Sequence, residues 1–308
     1  MAHLNKDMLK KITVYVGEKS YYERNQLRDL FKAQGVSQVV CHRDMGSLKE
    51  VMKEAAPDLL VISDDFDANV FEAIREIRGQ KLGDNPFLVI TMLVSPNRPH
   101  LLKEAIGTGV DDIVVKPLSS DRIQERLRLV TFHRQPFIIT DNYMGPHRKN
   151  MELTGRVRRI PVLNTFLEKV QGREFDKAAL KNAVEGSLQK ILQAKLDSQS
   201  FRLGEVCERL VNAYDKGVIT EKVQTDLIML ADVLADAAGL AQKLRDAQLS
   251  ALCGQLSENV RGIADHYDEA APSEINLIRK VTAAFKMAMS GSSAAEEEPD
   301  SDEFSQYN

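Results

Sequence analysis

The stretch that most constrains the fold is residues 57–67 (Pro-Asp-Leu-Leu-Val-Ile-Ser-Asp-Asp-Phe-Asp), in which four apolar residues run directly into a polar cluster. A short, unbroken apolar run is typical of a strand buried on both faces, as in a parallel sheet. In open α/β sheets, ligands bind just beyond the carboxyl ends of the strands. The sequence therefore predicts that Ser63, Asp64, Asp65 and Asp67 lie at the edge of the sheet where a site would form.

Strand and helix patterns alternate along the first 132 residues. Crossovers between parallel strands are right-handed almost without exception, which leaves few possible topologies. The alternation predicts an α/β fold with a five-stranded, doubly wound parallel sheet in the flavodoxin-like order 2-1-3-4-5. The predicted strands are 12–16, 39–41, 59–63, 87–93 and 113–115, and the predicted helices are 22–34, 47–55, 69–78, 100–107 and 120–132.

The remainder of the chain has a different pattern. Residues 135–175 are rich in basic residues, glycine and proline, which indicates a linker after a first domain at 1–134. Apolar residues recur every three or four positions across 176–289, and this spacing predicts an all-α bundle of about five helices. Residues 290–308 are acidic without any basic residue, and we predict that they are disordered.

Composition excludes several classes of function. The net charge of −4 argues against a protein that coats nucleic acid. The sequence contains no apolar run of the roughly 18 residues that a membrane helix needs. It has no glycine-rich phosphate loop, no nucleophile elbow and no zinc-ligand spacing, so we do not expect an enzyme. We expect a cytoplasmic protein whose three cysteines are reduced.

Residues 109–117 (Gly-Val-Asp-Asp-Ile-Val-Val-Lys-Pro) resemble the Gly-Ala-Asp-Asp-Tyr-x-x-Lys-Pro signature of bacterial response-regulator receiver domains. Pro57-Asp58 before the central strand, and Pro86 before an apolar run that reaches Thr91, fit the same family. The resemblance covers about 11–134. Residues 136–148 also resemble a segment of proteobacterial two-domain receivers of unassigned output.

The resemblance implies phosphorylation of an aspartate at the end of the third strand by a histidine kinase or phosphotransfer protein. The register of this strand leaves two possibilities: the local Val-Ile-Ser-Asp pattern indicates Asp64 as the phosphoacceptor, whereas counting from Pro57 indicates Ser63. A slip of one residue turns a side chain to the opposite face, so only one of them can occupy the site. Thr91 and Lys116 would contact the phosphoryl group.

The resemblance also implies a Mg²⁺ ion, with Glu18, Asp64 and Asp65 as its ligands. Oxygen ligands suit this hard cation, and the cation would neutralise crowded carboxylates. The sequence departs from the family pattern after the first strand, where Gly17 and Glu18 stand in place of an acid pair and Lys19 follows. The alternative is therefore a pseudo-receiver that keeps the fold without being phosphorylated.

The sequence as a whole predicts a response-regulator-like signalling protein in phosphorelay signal transduction. Its output would be contact with a downstream protein partner, and a homodimer is possible. We expect no membrane partner and no nucleic-acid partner. The alternatives are a dimerising structural scaffold and a DNA-binding transcriptional regulator, the latter of which would show salt-dependent binding to duplex DNA.

Overall fold

The computed structural model describes residues 4–140, 143–148 and 158–292, with the backbone alone at 201 and 284–292. The chain forms two compact units: the described residues up to 191 belong to the first, and those from 192 onward belong to the second. No helix in the described part of the chain is long and apolar enough to cross a membrane.

A five-stranded parallel sheet forms the centre of the first unit. Its order, β2-β1-β3-β4-β5, confirms the predicted flavodoxin-like arrangement. All five residues of β3 are buried, as the unbroken apolar run predicts for a central strand. The strands are β1 Thr13–Gly17, β2 Gln38–His42, β3 Leu59–Ser63, β4 Val89–Val94 and β5 Asp112–Val115.

Helices cover both faces of this sheet. Successive side chains of a strand point to opposite faces, so Val61 packs into one core and Ile62 into the other. The Val61 core includes α1 Lys6–Leu9, α2 Tyr21–Ala33 and α6 Ser120–Phe132, whereas the Ile62 core includes α3 Met45–Glu54, α4 Val70–Arg78 and α5 Leu101–Gly107.

The segment 135–175, which the sequence indicated to be a linker, contains ordered elements of the first unit. It forms an antiparallel hairpin of β6 Phe137–Ile139 and β7 Met144–Pro146, followed by helix α7 Thr165–Val170. Phe166 and Val170 of α7 belong to the same core as α2 and α6. The correction has a physical reason: composition shows which residues break helices, but not that the intervening apolar side chains are buried.

Buried charges attach the hairpin to the sheet. Asp111 is buried and accepts hydrogen bonds from Arg78 Nη2 at 2.8 Å, Arg134 Nε at 2.7 Å and Ile90 N at 2.8 Å. Both guanidinium groups lie over the Phe137 ring, with their central carbons 5.1 and 5.0 Å from the ring centroid. The aspartate of the receiver-like signature thus has a structural role in this chain.

The charges of this cluster shift each other's pKa values. Burial raises the pKa of Asp111, but the charges of Arg134 and Arg78 outweigh burial, so the net pKa is lowered. Burial lowers the pKa of Arg78 to about 10, so its guanidinium stays charged at neutral pH. The cluster therefore holds two positive charges and one negative charge inside the first unit.

The second unit is helical. It comprises the end of α8 Lys177–Asp215, α9 Glu221–Lys243, α10 Ala247–Ala264 and α11 Pro272–Ser292. The structure describes four helices where the sequence predicted about five. Two of the predicted helices form the single helix α8, because no glycine or proline interrupts the polar stretch 194–203. Of the predicted disordered tail at 290–308, residues 290–292 end α11 and residues 293–308 lie outside the described residues.

Candidate functional site

Three side chains meet at the carboxyl edge of the sheet. The alternation along β1, β3 and β5 places Glu18, Ser63 and Lys116 in line with the residues that face the α2–α6 core. Ser63 Oγ donates a short hydrogen bond to Glu18 Oε2. Lys116 Nζ donates to the same oxygen over 2.7 Å. Glu18 Oε2 therefore connects residues at the carboxyl ends of β1, β3 and β5.

Glu18 has both of its carboxylate oxygens engaged. It is 1% exposed, and its Oε1 accepts a hydrogen bond from the Ser20 amide over 2.8 Å. Burial raises the pKa of Glu18, but the hydrogen bonds from Lys116, Ser63 and the Ser20 amide outweigh it, so the pKa is lowered. Arg24 Nη1 also donates to the Glu18 carbonyl oxygen over 2.7 Å, which fixes the start of α2 beside the cluster.

Lys116 lies among three carboxylates. In addition to Glu18, its Nζ donates to Glu23 Oε2 over 2.6 Å and lies 3.9 Å from Asp65 Oδ1. Burial lowers the pKa of Lys116, but the hydrogen bonds that it donates to Glu18 and Glu23 raise the pKa more, so the net pKa is raised. The ammonium group is therefore charged, and its side chain is only 14% exposed.

Asp64 has a different environment from Ser63. Its Oδ1 accepts a hydrogen bond from Ser95 Oγ over 2.9 Å, and the side chain of Asp64 is buried. Its Oδ2 is buried with no hydrogen-bond partner in the described part of the chain. Of the two registers that the sequence left open, the structure thus places Ser63 in the cluster with Glu18 and Lys116, and places Asp64 beside Ser95.

Thr91 does not lie where the resemblance suggested. The fourth strand continues to Val94, so Thr91 is in the middle of β4, paired with Val61 and Asp112. The correction follows from the apolar run, which continues through Met92-Leu93-Val94. Ser95, which the sequence analysis missed, supplies the hydroxyl at the end of this strand. Ser95 could have been identified from the sequence as the first hydroxyl residue after the apolar run that ends at Val94.

The predicted magnesium ligands are not arranged as a metal site. Glu18 is bound by a lysine, a serine and a backbone amide, and Asp64 accepts from Ser95. Among the residues that the structure describes, no three His, Cys, Asp or Glu side chains come together in a way that could hold a metal ion. The donor set therefore does not fit Mg²⁺, which requires near-octahedral oxygen coordination.

Comparisons with known proteins find similarity only at the level of three-dimensional structure. No family model matches the sequence, and no curated protein matches it. Two matching crystal structures are of response regulators: full-length FixJ from B. japonicum, with 14% identity, a TM-score of 0.35, and coverage of 82% of this chain and 98% of that chain; and NtrX from Brucella abortus in complex with ADP, with 11% identity, a TM-score of 0.32, and coverage of 85% and 83%. The receiver-like fold of the first unit is assigned from its own strand order and register.

Proposed function

We propose that the first unit is a pseudo-receiver, a receiver-like domain that takes part in signal transduction by binding a protein partner without being phosphorylated. One observation carries this proposal: the Lys116 ammonium group is bound by Glu18 and Glu23, while a serine hydroxyl stands at the end of β3 and bonds to Glu18. The lysine that would contact a phosphoryl group is thus engaged by acids of the chain itself.

The chemistry of phosphoryl transfer supports this view. An acyl phosphate forms on a carboxylate, whereas the group that faces Lys116 from β3 is the hydroxyl of fully buried Ser63. Asp64 is the nearby carboxylate, but it is 4% exposed and bonded to Ser95. Phosphoryl transfer requires in-line access to the attacking oxygen and a cation to offset the developing charge. Here the Asp64 carboxylate is buried, and the Lys116 ammonium group is already bound by Glu18 and Glu23.

An exposed pair of tyrosines supports binding of a protein partner. Tyr21 and Tyr22 are 75% and 73% exposed on the first turn of α2. Tyrosine is enriched among the residues that dominate protein interfaces. Glu23, the next residue, is bonded to Lys116, so the buried cluster holds this turn in position. In this proposal the ion pairs of Lys116 with Glu18 and Glu23 hold the partner-binding surface in place, and Lys116 does not bind a phosphoryl group.

The test is an attempt to phosphorylate the protein. The full chain, Asp64→Asn and Ser63→Ala are incubated with Mg²⁺ and acetyl phosphate beside a receiver known to accept phosphate, and intact masses are recorded. We expect an adduct on the control protein and none on this chain. A base-labile phosphoryl adduct on the wild type that disappears in Asp64→Asn would refute the pseudo-receiver assignment and establish a working receiver.

A further inference from the structure

The cluster at the carboxyl edge of the sheet holds more acid than base. Glu18, Glu23 and Asp65 surround the Lys116 ammonium group at 2.7, 2.6 and 3.9 Å. Lys19 Nζ lies 3.6 Å from the other oxygen of Asp65, but its side chain is 57% exposed. Three carboxylates and two ammonium groups leave one net negative charge at this edge.

Two oxygen atoms of this region have no hydrogen-bond partner among the described residues. Asp64 Oδ2 and Asp65 Oδ1 are both buried and unsatisfied. Buried polar atoms without a partner are uncommon, and a carboxylate oxygen can be satisfied only by a donor or by a cation. The Lys116 ammonium group lies 3.9 Å from Asp65 Oδ1, which is too far for a hydrogen bond.

We infer that the Lys116 ammonium group is the resident cation of this site and excludes divalent metal ions from it. A lysine ammonium is a compact point charge, and at separations of about 4 Å its interaction with a partly buried carboxylate is far stronger than in water. It occupies the centre of the acid cluster that a divalent ion would need. This inference rests on the proposed function, because a pseudo-receiver has no need of a metal ion.

The Lys116→Met variant should bind a divalent metal ion more tightly than the wild type. Methionine keeps an unbranched side chain of similar length but removes the charge. The three surrounding carboxylates would then face a single, exposed lysine, and the unsatisfied Asp65 Oδ1 would remain available as a ligand. The loss of the Lys116 charge is therefore expected to let these carboxylates bind a divalent ion that they do not bind in the wild type.

The experiment uses the full-length protein and Mn²⁺, with free Mn²⁺ measured by electron paramagnetic resonance. Lys116→Met is expected to bind Mn²⁺ at least about tenfold more tightly than the wild type, because one unit charge is removed from the centre of the cluster. Lys116→Arg, which keeps the charge, should behave like the wild type. Adding Glu18→Gln to Lys116→Met should abolish the gain.

Two results would overturn the inference: a wild type that binds Mn²⁺ as tightly as Lys116→Met, or a folded Lys116→Met that gains no affinity. If Lys116→Met fails to fold, the accessibility of Lys116 in the wild type provides a second test. Reductive methylation of Lys116, compared with exposed Lys19 by peptide mass spectrometry, should be slow and unchanged by millimolar Mg²⁺. Selective acceleration of Lys116 by Mg²⁺ would mean that the metal displaces the ammonium group.

The two proposals fail in different ways. If the wild type binds Mg²⁺ but gains no phosphoryl group, the resident-cation inference is wrong and the pseudo-receiver assignment stands. If the wild type is phosphorylated by acetyl phosphate, the pseudo-receiver assignment itself is wrong.

Discussion

Asp111→Asn should destabilise the first unit strongly, because it removes the one negative charge between two buried arginines. Asp111 and Arg78 each have side chains that are 3% exposed, and that of Arg134 is 6% exposed. Asparagine has nearly the same shape as aspartate, so the change alters charge and hydrogen bonding while packing is preserved. It leaves the two guanidinium groups without a counter-ion among the residues that the structure describes.

The expected cost follows from the burial of the cluster. Breaking a buried ion pair by removing one partner costs about 3–5 kcal/mol, because the remaining charge is left uncompensated. We expect about 3 kcal/mol, since the asparagine carbonyl can still accept one or two of the three hydrogen bonds. This is a large share of the roughly 5–15 kcal/mol that stabilises a typical domain.

Hydrogen exchange measured by mass spectrometry on the full chain can isolate this effect, since peptides from β3 and β4 report opening of the first unit alone. A loss of about 3 kcal/mol corresponds to exchange roughly two orders of magnitude faster. The pKa of Asp111 is lowered below its ordinary value of 3.8. The wild type should therefore lose this stabilisation as the pH falls below that value, and the variant should lack that loss.

The neighbouring residue provides a matched control. Asp112 follows Asp111 directly and begins β5, and burial raises its pKa, which means that its charged form is disfavoured in the folded state. Asp112→Asn should change stability by less than about 1 kcal/mol. Equal exchange rates in the Asp111→Asn variant and the wild type, or a larger effect of Asp112→Asn, would refute the reasoning about the buried cluster.

Two further predictions concern the backbone and pH. Gly109→Ala should destabilise the first unit by at least about 1–3 kcal/mol in urea unfolding. The reason is that Gly109 has a φ of +87° and that a Cβ there would lie 2.3 Å from the Met144 carbonyl oxygen. Gly107→Ala is the control and should be tolerated, because a Cβ at Gly107 meets nothing within 4 Å. Burial lowers the pKa of His42, whose Nε2 is buried without a partner among the described residues, so stability should fall as the pH drops below 6.5. His42→Phe should flatten that decline between pH 7 and 5, and parallel curves for the two proteins would contradict it.

The sheet could be predicted from the sequence because its signals are local. The apolar run that forms β3 and the periodicity of helices such as α2 determine where each element lies, and the alternation of the elements leaves few topologies. The order β2-β1-β3-β4-β5 was therefore within reach without any tertiary information.

The sequence alone could not determine whether Ser63 or Asp64 faces Glu18 and Lys116, because that depends on the pairing between strands that are distant in sequence. Gly17 pairs with Ile62, and this alignment brings Glu18 beside Ser63. Nothing in the local sequence distinguishes this register from one shifted by a residue. The role of 135–175 was missed for the same reason, since Phe137 packs against one arginine from α4 and another from the segment after α6.

The attachment of α7 and the hairpin to the sheet bears on how such a chain can recombine during evolution. Phe137 contacts Arg78 and Arg134, and Lys169 of α7 donates to Asp58 at the start of β3 over 2.7 Å. A gene fusion that cut after α6 would separate these partners and leave Asp58 and the face of Arg78 uncovered. Because the first unit continues to residue 191, we expect a new C-terminal module to be tolerated beyond that residue, so the segment that must be inherited together is longer than the five-stranded fold alone.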